Sequence, residues 1–494
     1  MIRLTSSAPA NIRTDLLLIP VWQDPTGHWN VRLAEWVQKA VGYSEFSGKE
    51  GESLLHYEWE GAAAPRVMFY GLGRPDCGAL EKLRQAAGDG VGQAVKLKLS
   101  RLAIVTPEID ALDHPESEIV EALSEGAVLA VPVPNRYKND ADRNVSPGSI
   151  QIVIPSSKPS RHKQVLRRVE SIGAATLIAR QWVNTPSNDK RPESFAQEVA
   201  KKASKAELRV EVIKGRQLQR LNMGALMAVG AGSGSRPALV VLEHTPRESA
   251  GTVVLVGKGI TFDTGGYNIK ASGSMESMKV DMAGAAAVAA TLIASASLDL
   301  GFRLIGVLPL AENMVSGDAY RPGDVIQIYG GKTVEIGNTD AEGRLILADA
   351  LAYSSRQFQP DVMIDLATLT GACVVALGES LAGVFSPDAE LSAQLQAAGE
   401  RVHERCWPLP LPEDYRSLLK SEIADLRNIG PNRWGGAIVA ALFLSEFTGD
   451  ARWAHIDIAG PAEAKKPTAY CGAGGTGFGV RLLCRFLSSL RFDK

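Results

Sequence analysis

Two short runs in this sequence carry residue types that could do chemistry. Residues 338–345 are Asn-Thr-Asp-Ala-Glu-Gly-Arg-Leu, and residues 257–266 are Gly-Lys-Gly-Ile-Thr-Phe-Asp-Thr-Gly-Gly. Together with Asp281 they place several carboxylates and lysines in glycine-rich, loop-like contexts. Because like charges repel and burial penalises each of them, clustered carboxylates need a balancing cation. Two divalent ions that share carboxylates would supply that balance and would form a hydrolytic centre.

Each of these residues also has an ordinary structural interpretation. Asp340 and Glu342 could lie at a helix N-terminus, where the helix dipole favours acidic side chains. Asp263 could be a turn residue before its glycines, Asp281 a helix N-cap and Lys258 a solvated loop residue. Taken singly, these interpretations are reasonable. Together they must explain four carboxylates and a lysine at the edge of one sheet, so the sequence favours a metal site.

The elements around these runs predict two α/β domains, since 494 residues exceed one ordinary core. We expect an N-terminal α/β domain over residues 1–160 and a catalytic domain over residues 161–494, with a linker helix at 161–183. Strands of the first domain are predicted at 16–21, 67–70, 102–105 and 150–154, and helices at 80–95 and 116–129. The polar, proline-containing segment 156–161 marks the boundary.

The second domain alternates strands and helices. Strands are predicted at 208–213, 238–242, 253–256, 303–308, 325–329 and 362–366, and helices at 284–297, 342–355, 390–404 and 437–448. This alternation predicts a mixed, mostly parallel sheet covered by helices on both faces. In such sheets ligands bind beyond the carboxyl ends of the strands. The run from Lys258 to Asp263 directly follows one predicted strand, and Asp340 precedes a predicted helix, so both lie where a site is expected.

Composition excludes several classes of protein. Lys and Arg total 53 and Asp and Glu total 55, a net charge of −2, so nothing favours nucleic acid as the main ligand. The five cysteines are scattered without a Cys-x-x-Cys pair, which predicts reduced thiols and a cytoplasmic location. The apolar stretch 16–21 is too short for a signal peptide, and 283–298 is read as a buried helix, so we expect no membrane association.

Residues 338–345 resemble the signature octapeptide of the leucyl (cytosol) aminopeptidase family, whose members are dinuclear-metal aminopeptidases. The resemblance continues through other segments of the second domain, namely residues 257–270, 275–282, 365–372, 453–460 and 475–477. It covers nearly all of the second domain, whereas the N-terminal third matches only in its general α/β character.

The resemblance implies a set of metal ligands. One ion would be held by Asp263, Asp340 and Glu342. The other would be held by Lys258, Asp263, Asp281 and Glu342, so that Asp263 and Glu342 bridge the two ions. A lysine ligand must be a neutral amine, so its pKa must be depressed by the adjacent dications. An oxygen-rich set without histidine suits zinc or manganese, and equally magnesium or cobalt.

The resemblance also implies catalytic and substrate-binding residues. Lys270 would donate to the oxyanion of the tetrahedral intermediate, and Arg344 would hold a bicarbonate ion that serves as the general base. The pocket for the first side chain of the substrate would be lined by Met278, Thr368, Leu369, Gly371, Ala459 and Ala462. At the position of Ala462 well-known relatives place a bulky Met or Trp, so we expect this chain to tolerate large N-terminal residues such as Phe or Trp.

The sequence therefore predicts a leucyl aminopeptidase-type enzyme that releases Leu-like and other apolar N-terminal residues from peptides. The resemblance further implies a homohexamer. One alternative is a DNA-binding accessory protein with a residual peptidase site, as in some bacterial relatives. Its basic surface would be formed by Lys96, Lys98 and Arg101, or by Arg161, Lys163, Arg167 and Arg168. Another alternative is an inactive homologue, against which the complete ligand set argues, because a dead site is free to lose costly buried charges.

Overall fold

Two open sheets, one in each of two units, organise the chain. The computed structural model describes residues 2–23, 33–75, 78–107, 114–133, 137–138, 146–155, 158–298 and 300–492. Unit 1 comprises residues 1–174 and 465–473, and unit 2 comprises residues 175–464 and 474–494. The domain division at residue 160 and the linker helix 161–183 remain proposals.

Among its described residues, unit 1 contains a six-stranded sheet in the order β1-β6-β5-β2-β4-β3, in which only β3 runs antiparallel to its neighbour. Its strands are β1 (Ile2–Thr5), β2 (Leu16–Trp22), β3 (Ser53–Tyr57), β4 (Arg66–Gly73), β5 (Arg101–Val105) and β6 (Ser149–Val153). Its helices are α1 (Ala34–Val41), α2 (Ala79–Lys96) and α3 (Glu116–Leu129), with a 3-10 turn at Pro9–Asn11. The four predicted strands are present, and the short β1 and half-exposed β3 were not predicted.

Strand β2 shows why this sheet is covered on both faces. Leu16 and Leu18 pack in the core with the α2 and α3 side chains, whereas Leu17 and Ile19 pack in a second core with Val37 of α1. Since successive side chains of a strand point to opposite faces, an uninterrupted apolar run requires two cores. Helices on the two faces supply them.

Two of the basic residues considered for nucleic-acid binding are paired with carboxylates in unit 1. Arg101 lies 2.6 Å from Asp15, and Arg168 lies 2.7 Å from Glu121. Each pair neutralises a charge that a phosphate backbone would need. These two pairings therefore do not favour the DNA-binding alternative.

Helix α4 (Lys163–Asn184) follows the 3-10 turn Pro159–His162 and leads along the chain into unit 2. The other helices of unit 2 are α5 (Pro192–Lys205), α6 (Arg216–Arg220), α7 (Gly224–Gly230), α8 (Ala283–Ser295), α9 (Glu342–Phe358), α10 (Gly371–Leu377), α11 (Ala389–Val402), α12 (Gly436–Ser445) and α13 (Val480–Ser489). Three 3-10 turns lie at Ser187–Asp189, Met278–Val280 and Glu413–Leu419.

The main sheet of unit 2 has nine strands. They are β7 (Arg209–Lys214), β8 (Ala238–His244), β9 (Thr252–Gly257), β10 (Gly259–Asp263), β11 (Arg303–Asn313), β14 (Val362–Ala367), β15 (Ala382–Phe385), β16 (Cys406–Pro408) and β18 (Arg452–Asp457). The order is β16-β15-β18-β14-β9-β11-β8-β7, with β10 paired to β11. The central strands β18, β14, β9, β11 and β10 are mutually parallel, and the sheet is therefore mixed and mostly parallel, as predicted.

Strand β11 separates two helical layers. Ile305 and Val307 pack in a core with side chains of α7, α9 and α12. A side chain at the intervening Gly306 would instead meet Val288 and Leu292 of α8. Helices thus cover both faces, which confirms the predicted fold class.

The apolar character of α8 reflects this burial. Within the described residues one helical segment, Met278–Ser295, is long and apolar enough to cross a membrane, and 83% of it is buried inside the protein. The prediction of a buried helix in this region is confirmed.

One strand prediction needs correction. The segment predicted as strand 325–329 forms only β12 (Val325–Gln327), which belongs to a small separate sheet with β13 (Thr333–Glu335) and β17 (Leu426–Arg427). Its first and third residues are exposed, so it lacks the two buried faces of a central strand. A two-stranded ribbon, β19 (Glu463–Ala464) with β20 (Gly474–Gly475), completes the unit.

Candidate metal centre

The predicted site residues meet at the carboxyl edge of the parallel strands in unit 2. Lys258 follows β9 and its backbone N–H donates to Leu366 of the neighbouring β14. Asp263 is the last residue of β10, and Thr368 follows the end of β14. Because parallel strands end on one edge of a sheet, residues distant in sequence converge there.

The Lys258 side chain is enclosed by two carboxylates. Its Nζ lies 2.7 Å from Asp281 Oδ1 and 3.0 Å from Glu342 Oε1, and it donates to the Thr368 carbonyl at 2.9 Å. The side chain is only 4% exposed. The interpretation of Lys258 as a solvated loop residue is therefore wrong.

Lys270 joins the other two carboxylates. Its Nζ lies 2.7 Å from both Asp263 Oδ2 and Asp340 Oδ1. Asp263 Oδ1 also accepts from the Gly265 backbone and from Asn313 Nδ2. Asp263 therefore does make the turn contact that its glycines suggested, but its second oxygen faces the cluster.

The donor set fits divalent cations. Asp263, Asp340 and Glu342 each offer one carboxylate oxygen, and these oxygens all lie within 4.8 Å of one another. Asp281 Oδ2 and Glu342 Oε2 are buried, and no hydrogen-bond donor among the described residues reaches either atom. Buried carboxylate oxygens without a donor are costly, and a cation would satisfy them.

Burial and neighbouring charges shift the pKa values of three groups in this cluster. Burial, followed by the charge of Asp263, raises the pKa of Glu342 to about 8. Burial also raises the pKa of Asp281, to about 6, against the opposing effect of Lys258. For Lys258 burial favours the neutral amine, but the charges of Asp281, Glu342 and Asp263 prevail, and its pKa lies above the ordinary value. Glu342 and Asp281 are thus held in a region that disfavours bare negative charge.

Arg344 is a second buried cation beside the carboxylates. Its Nη1 donates to the Asn428 carbonyl at 2.8 Å, while its Nε is buried and has no acceptor among the described residues. Burial lowers the pKa of Arg344 to about 10. A buried guanidinium with a free donor suits a small anion.

Gly343 lies between Glu342 and Arg344 in the first turn of α9. A Cβ at this position would meet Cε of Lys258 and would lie 2.7 Å from its Nζ. The absence of a side chain at residue 343 therefore lets the helix N-terminus approach Lys258 without displacing the end of the lysine side chain.

The interpretation of Asp281 as a helix cap is wrong. The N-cap of α8 is Met282, without a side-chain cap. Asp281 Oδ1 instead accepts from Lys258 Nζ and from Thr368 Oγ1, both at 2.7 Å. Glu342 is the first residue of α9, so its favourable place in the helix dipole coexists with its place in the cluster.

Most residues predicted for the substrate pocket lie at accessible positions. Met278, Thr368, Leu369 and Ala459 are half-buried, and Gly371 is exposed, with no atom within 4 Å of a Cβ built on it. Ala462 differs, because it is only 3% exposed.

Asp457 organises two of these segments and was missed from the sequence. Its carboxylate accepts from the backbone N–H groups of Leu369 and Ala459, each at 3.1 Å, and from Thr370 Oγ1 at 2.7 Å. It therefore fixes the turn after β14 against the turn after β18. Its position at the end of a strand was the signal that could have identified it.

Asn313 was also missed from the sequence, although it too lies at the end of a strand. It ends β11, is fully buried, and its Nδ2 donates to Asp263 Oδ1 at 2.8 Å and to the Thr339 carbonyl at 3.0 Å. It thereby joins the strand that carries Asp263 to the segment that carries Asp340.

Comparison with known proteins places these residues in a family context. The model of the cytosol aminopeptidase family, catalytic domain, matches residues 177–484, and that of the N-terminal domain of the same family matches residues 26–141.

Individual relatives are similar to this protein over nearly its whole length. A probable cytosol aminopeptidase of Syntrophotalea carbinolica is 42% identical, over 96% of this chain and 97% of the relative. Among solved structures, the bottromycin maturation enzyme BotP in complex with Mn has a TM-score of 0.84 at 35% identity, over 96% of this chain and 99% of its own. A tomato leucine aminopeptidase mutant has a TM-score of 0.87 at 30% identity, over 99% and 96%.

Proposed function

Since the chain belongs to the cytosol aminopeptidase family and is thus a peptide hydrolase, we propose that it removes Leu-like and other apolar N-terminal residues from peptides with water activated by two divalent metal ions. The observation that carries this proposal is the buried carboxylate cluster, in which two oxygens, Asp281 Oδ2 and Glu342 Oε2, have no donor among the described residues.

The ligand assignment is proposed from the family resemblance, and the close approach of the Asp263, Asp340 and Glu342 carboxylate oxygens supports it. Asp263, Asp340 and Glu342 would hold one ion, and Lys258, Asp263, Asp281 and Glu342 the other. Two divalent ions held by these residues would supply the positive charge needed to acidify a water molecule and to polarise the scissile carbonyl. Lys258 serves as a ligand only when its amine is neutral, so its proton must leave when the ions bind.

Two basic residues complete the proposed machinery. Lys270, whose side chain is 17% exposed, keeps an ammonium at the edge of the cluster, where it would donate to the oxyanion that develops on the substrate. Arg344 offers a small anion its Nε, which has no acceptor among the described residues, and we propose that this anion is bicarbonate, acting as the general base.

Further properties are proposed from the family resemblance. We propose manganese or zinc as the metal, and the manganese in the BotP structure supports the former. We also propose a homohexamer in the cytoplasm, which acts on peptides.

An assay with metal removed and restored tests the proposed function. Enzyme treated with a chelator and then desalted is expected to lose hydrolysis of leucine amide and to regain it with manganese or zinc. A panel of aminoacyl amides and their N-acetylated forms gives the control, because an aminopeptidase should spare the blocked substrates. Full activity in metal-free protein, or equal cleavage of blocked substrates, would refute the proposal.

Ala462 is proposed to line the pocket for the first side chain of the substrate. Ala462→Met is expected to lower the ratio of specificity constants for tryptophan amide over leucine amide several-fold, because each substrate methylene that the smaller pocket no longer buries is worth about 0.8 kcal/mol. Ala464→Met, in the neighbouring strand β19, is the matched control. Ala462 is only 3% exposed, so its place in the pocket wall needs a direct test. An unchanged ratio of the two specificity constants would mean that this residue does not line the pocket.

A further inference from the structure

Lys190 is a buried lysine that the proposed chemistry does not use. It is 2% exposed, and within the described part of the chain it forms no ion pair with a carboxylate. Its Nζ donates instead to three backbone carbonyls, those of Trp182 at 2.9 Å, Val183 at 3.1 Å and Lys279 at 2.7 Å. All three protons of the ammonium are thereby used. Burial lowers the pKa of Lys190 well below its ordinary value, so these contacts must offset a real cost.

Two of the three acceptors belong to the end of a helix. Trp182 and Val183 lie in the last turn of α4, where carbonyls have no partner within the helix and the helix dipole favours a cation. These contacts explain why a lysine is tolerated there. They do not explain the third bond, which leaves the helix and reaches a residue 89 positions along the chain.

The third acceptor lies beside the metal centre. Lys279 is the middle residue of the 3-10 turn Met278–Val280, and Asp281 follows that turn directly. The turn thus carries a proposed pocket residue at its start and a proposed metal ligand just beyond its end. The Lys279 carbonyl is the point at which Lys190 holds it.

A second tether comes from the same connection between α4 and α5. Ser187 Oγ donates to the Thr261 carbonyl of β10 at 2.8 Å, two residues before Asp263. The Ile260 N–H in turn donates to the Asp281 carbonyl at 3.2 Å. The residues after α4 therefore anchor both backbone segments that carry Asp263 and Asp281.

We propose that Lys190 is a positioning residue that fixes the turn Met278–Val280, and through it the orientation of Met278 in the substrate pocket and of Asp281 at the metal centre. The consequence for substrate selection rests on the proposed function, whereas the ordering of the turn does not. Without the ammonium, the half-buried Lys279 carbonyl loses its Lys190 donor, and the turn is free to rearrange toward water.

Hydrogen exchange tests the ordering of the turn directly. In Lys190→Met, which keeps a similar length without the charge, amides of residues 278–282 are expected to exchange about tenfold faster, the effect of losing one buried hydrogen bond. Lys190→Arg keeps a cation with several donors and is expected to restore most of the protection. Lys201→Met makes the same change at an exposed site on α5 and should leave exchange unaltered. Unchanged exchange at 278–282 in Lys190→Met would overturn the proposal.

Substrate preference is a measurement that would not change if Lys190 had a purely structural role. In Lys190→Met the ratio of specificity constants for leucine amide over alanine amide is expected to fall about three- to tenfold, because a displaced Met278 fits the larger side chain less well. Faster exchange with an unchanged ratio would refute the role at the pocket. If the wild type cleaves no aminoacyl amide, the proposed function fails, while the exchange result still decides the role of Lys190.

A variant that fails to fold does not end the test. Lys190→Gln retains two donors without the charge, and it is expected to lose protection at residues 278–282 while the last turn of α4 stays protected. Equal protection of both segments in that variant would contradict the proposal.

Discussion

Asp340→Ala is expected to abolish peptidase turnover, by about a thousandfold or more, while the protein remains folded. Asp340 is one of the three carboxylates that lie within 4.8 Å of one another, and it is the most accessible of them, with a side chain 33% exposed. Its removal takes a ligand from the proposed centre and a partner from Lys270. Because it lies in the loop before α9, its truncation should cost the fold about 1 kcal/mol or less.

The measurement combines hydrolysis of leucine amide, elemental analysis for bound metal and thermal unfolding. Asp450→Ala removes an exposed aspartate in a turn remote in sequence from the proposed ligands, and it serves as the matched control. We expect the Asp340 variant to lose metal and activity together with a nearly unchanged melting temperature. Wild-type turnover in this variant would remove Asp340 from the ligand set.

Lys270→Ala is expected to lower turnover by about two to three orders of magnitude, the usual effect of losing one oxyanion donor. Metal content should not fall. Lys270 contacts Asp263 and Asp340 at 2.7 Å, so its loss leaves two carboxylates with more negative charge to offer a cation. Loss of activity with retained metal would therefore separate the catalytic role of Lys270 from that of a ligand.

Titration of metal into chelator-treated protein, followed by turnover at saturation, distinguishes these roles. Lys214→Ala, at an exposed position in β7, is the control for removing a lysine. If the Lys270 variant kept wild-type turnover when loaded with metal, the oxyanion role would be wrong. If it bound metal much more weakly, Lys270 would instead be needed to assemble the centre.

Site residues could be predicted from the sequence where they lie close to the ends of strands or at the start of a helix. Lys258 and Asp263 come just after buried apolar runs, and Glu342 begins a helix, so their convergence could be predicted from the general geometry of parallel sheets. The pairing of Lys258 with Asp281 depends on a packing between β9 and the start of α8 that no local pattern encodes.

Other features could not be predicted because their partners are backbone atoms. In the part of the chain that the structure describes, Lys190 bonds only to carbonyls, one of them 89 residues away, and carbonyls have no residue type that a sequence could reveal. The backbone N–H groups that Asp457 accepts from two turns could not be predicted either, although its position at the end of a strand could be. The error at residues 325–329 has a different origin, since a short apolar run does not reveal which sheet will receive it.

The close approach of Gly343 to Lys258 sets helix stability against the geometry of the proposed metal site. Alanine in the first turn of α9 would be favoured over glycine by up to about 1 kcal/mol in helix propensity. The same methyl group would press on the end of a side chain held by Asp281, Glu342 and the Thr368 carbonyl. A flexible lysine end can yield, so the fold would survive and the ammonium would lose its place. A thermostabilising redesign guided by helix propensity would therefore choose alanine here. It would produce a protein with a more stable helix but with the Lys258 side chain displaced from the proposed metal site.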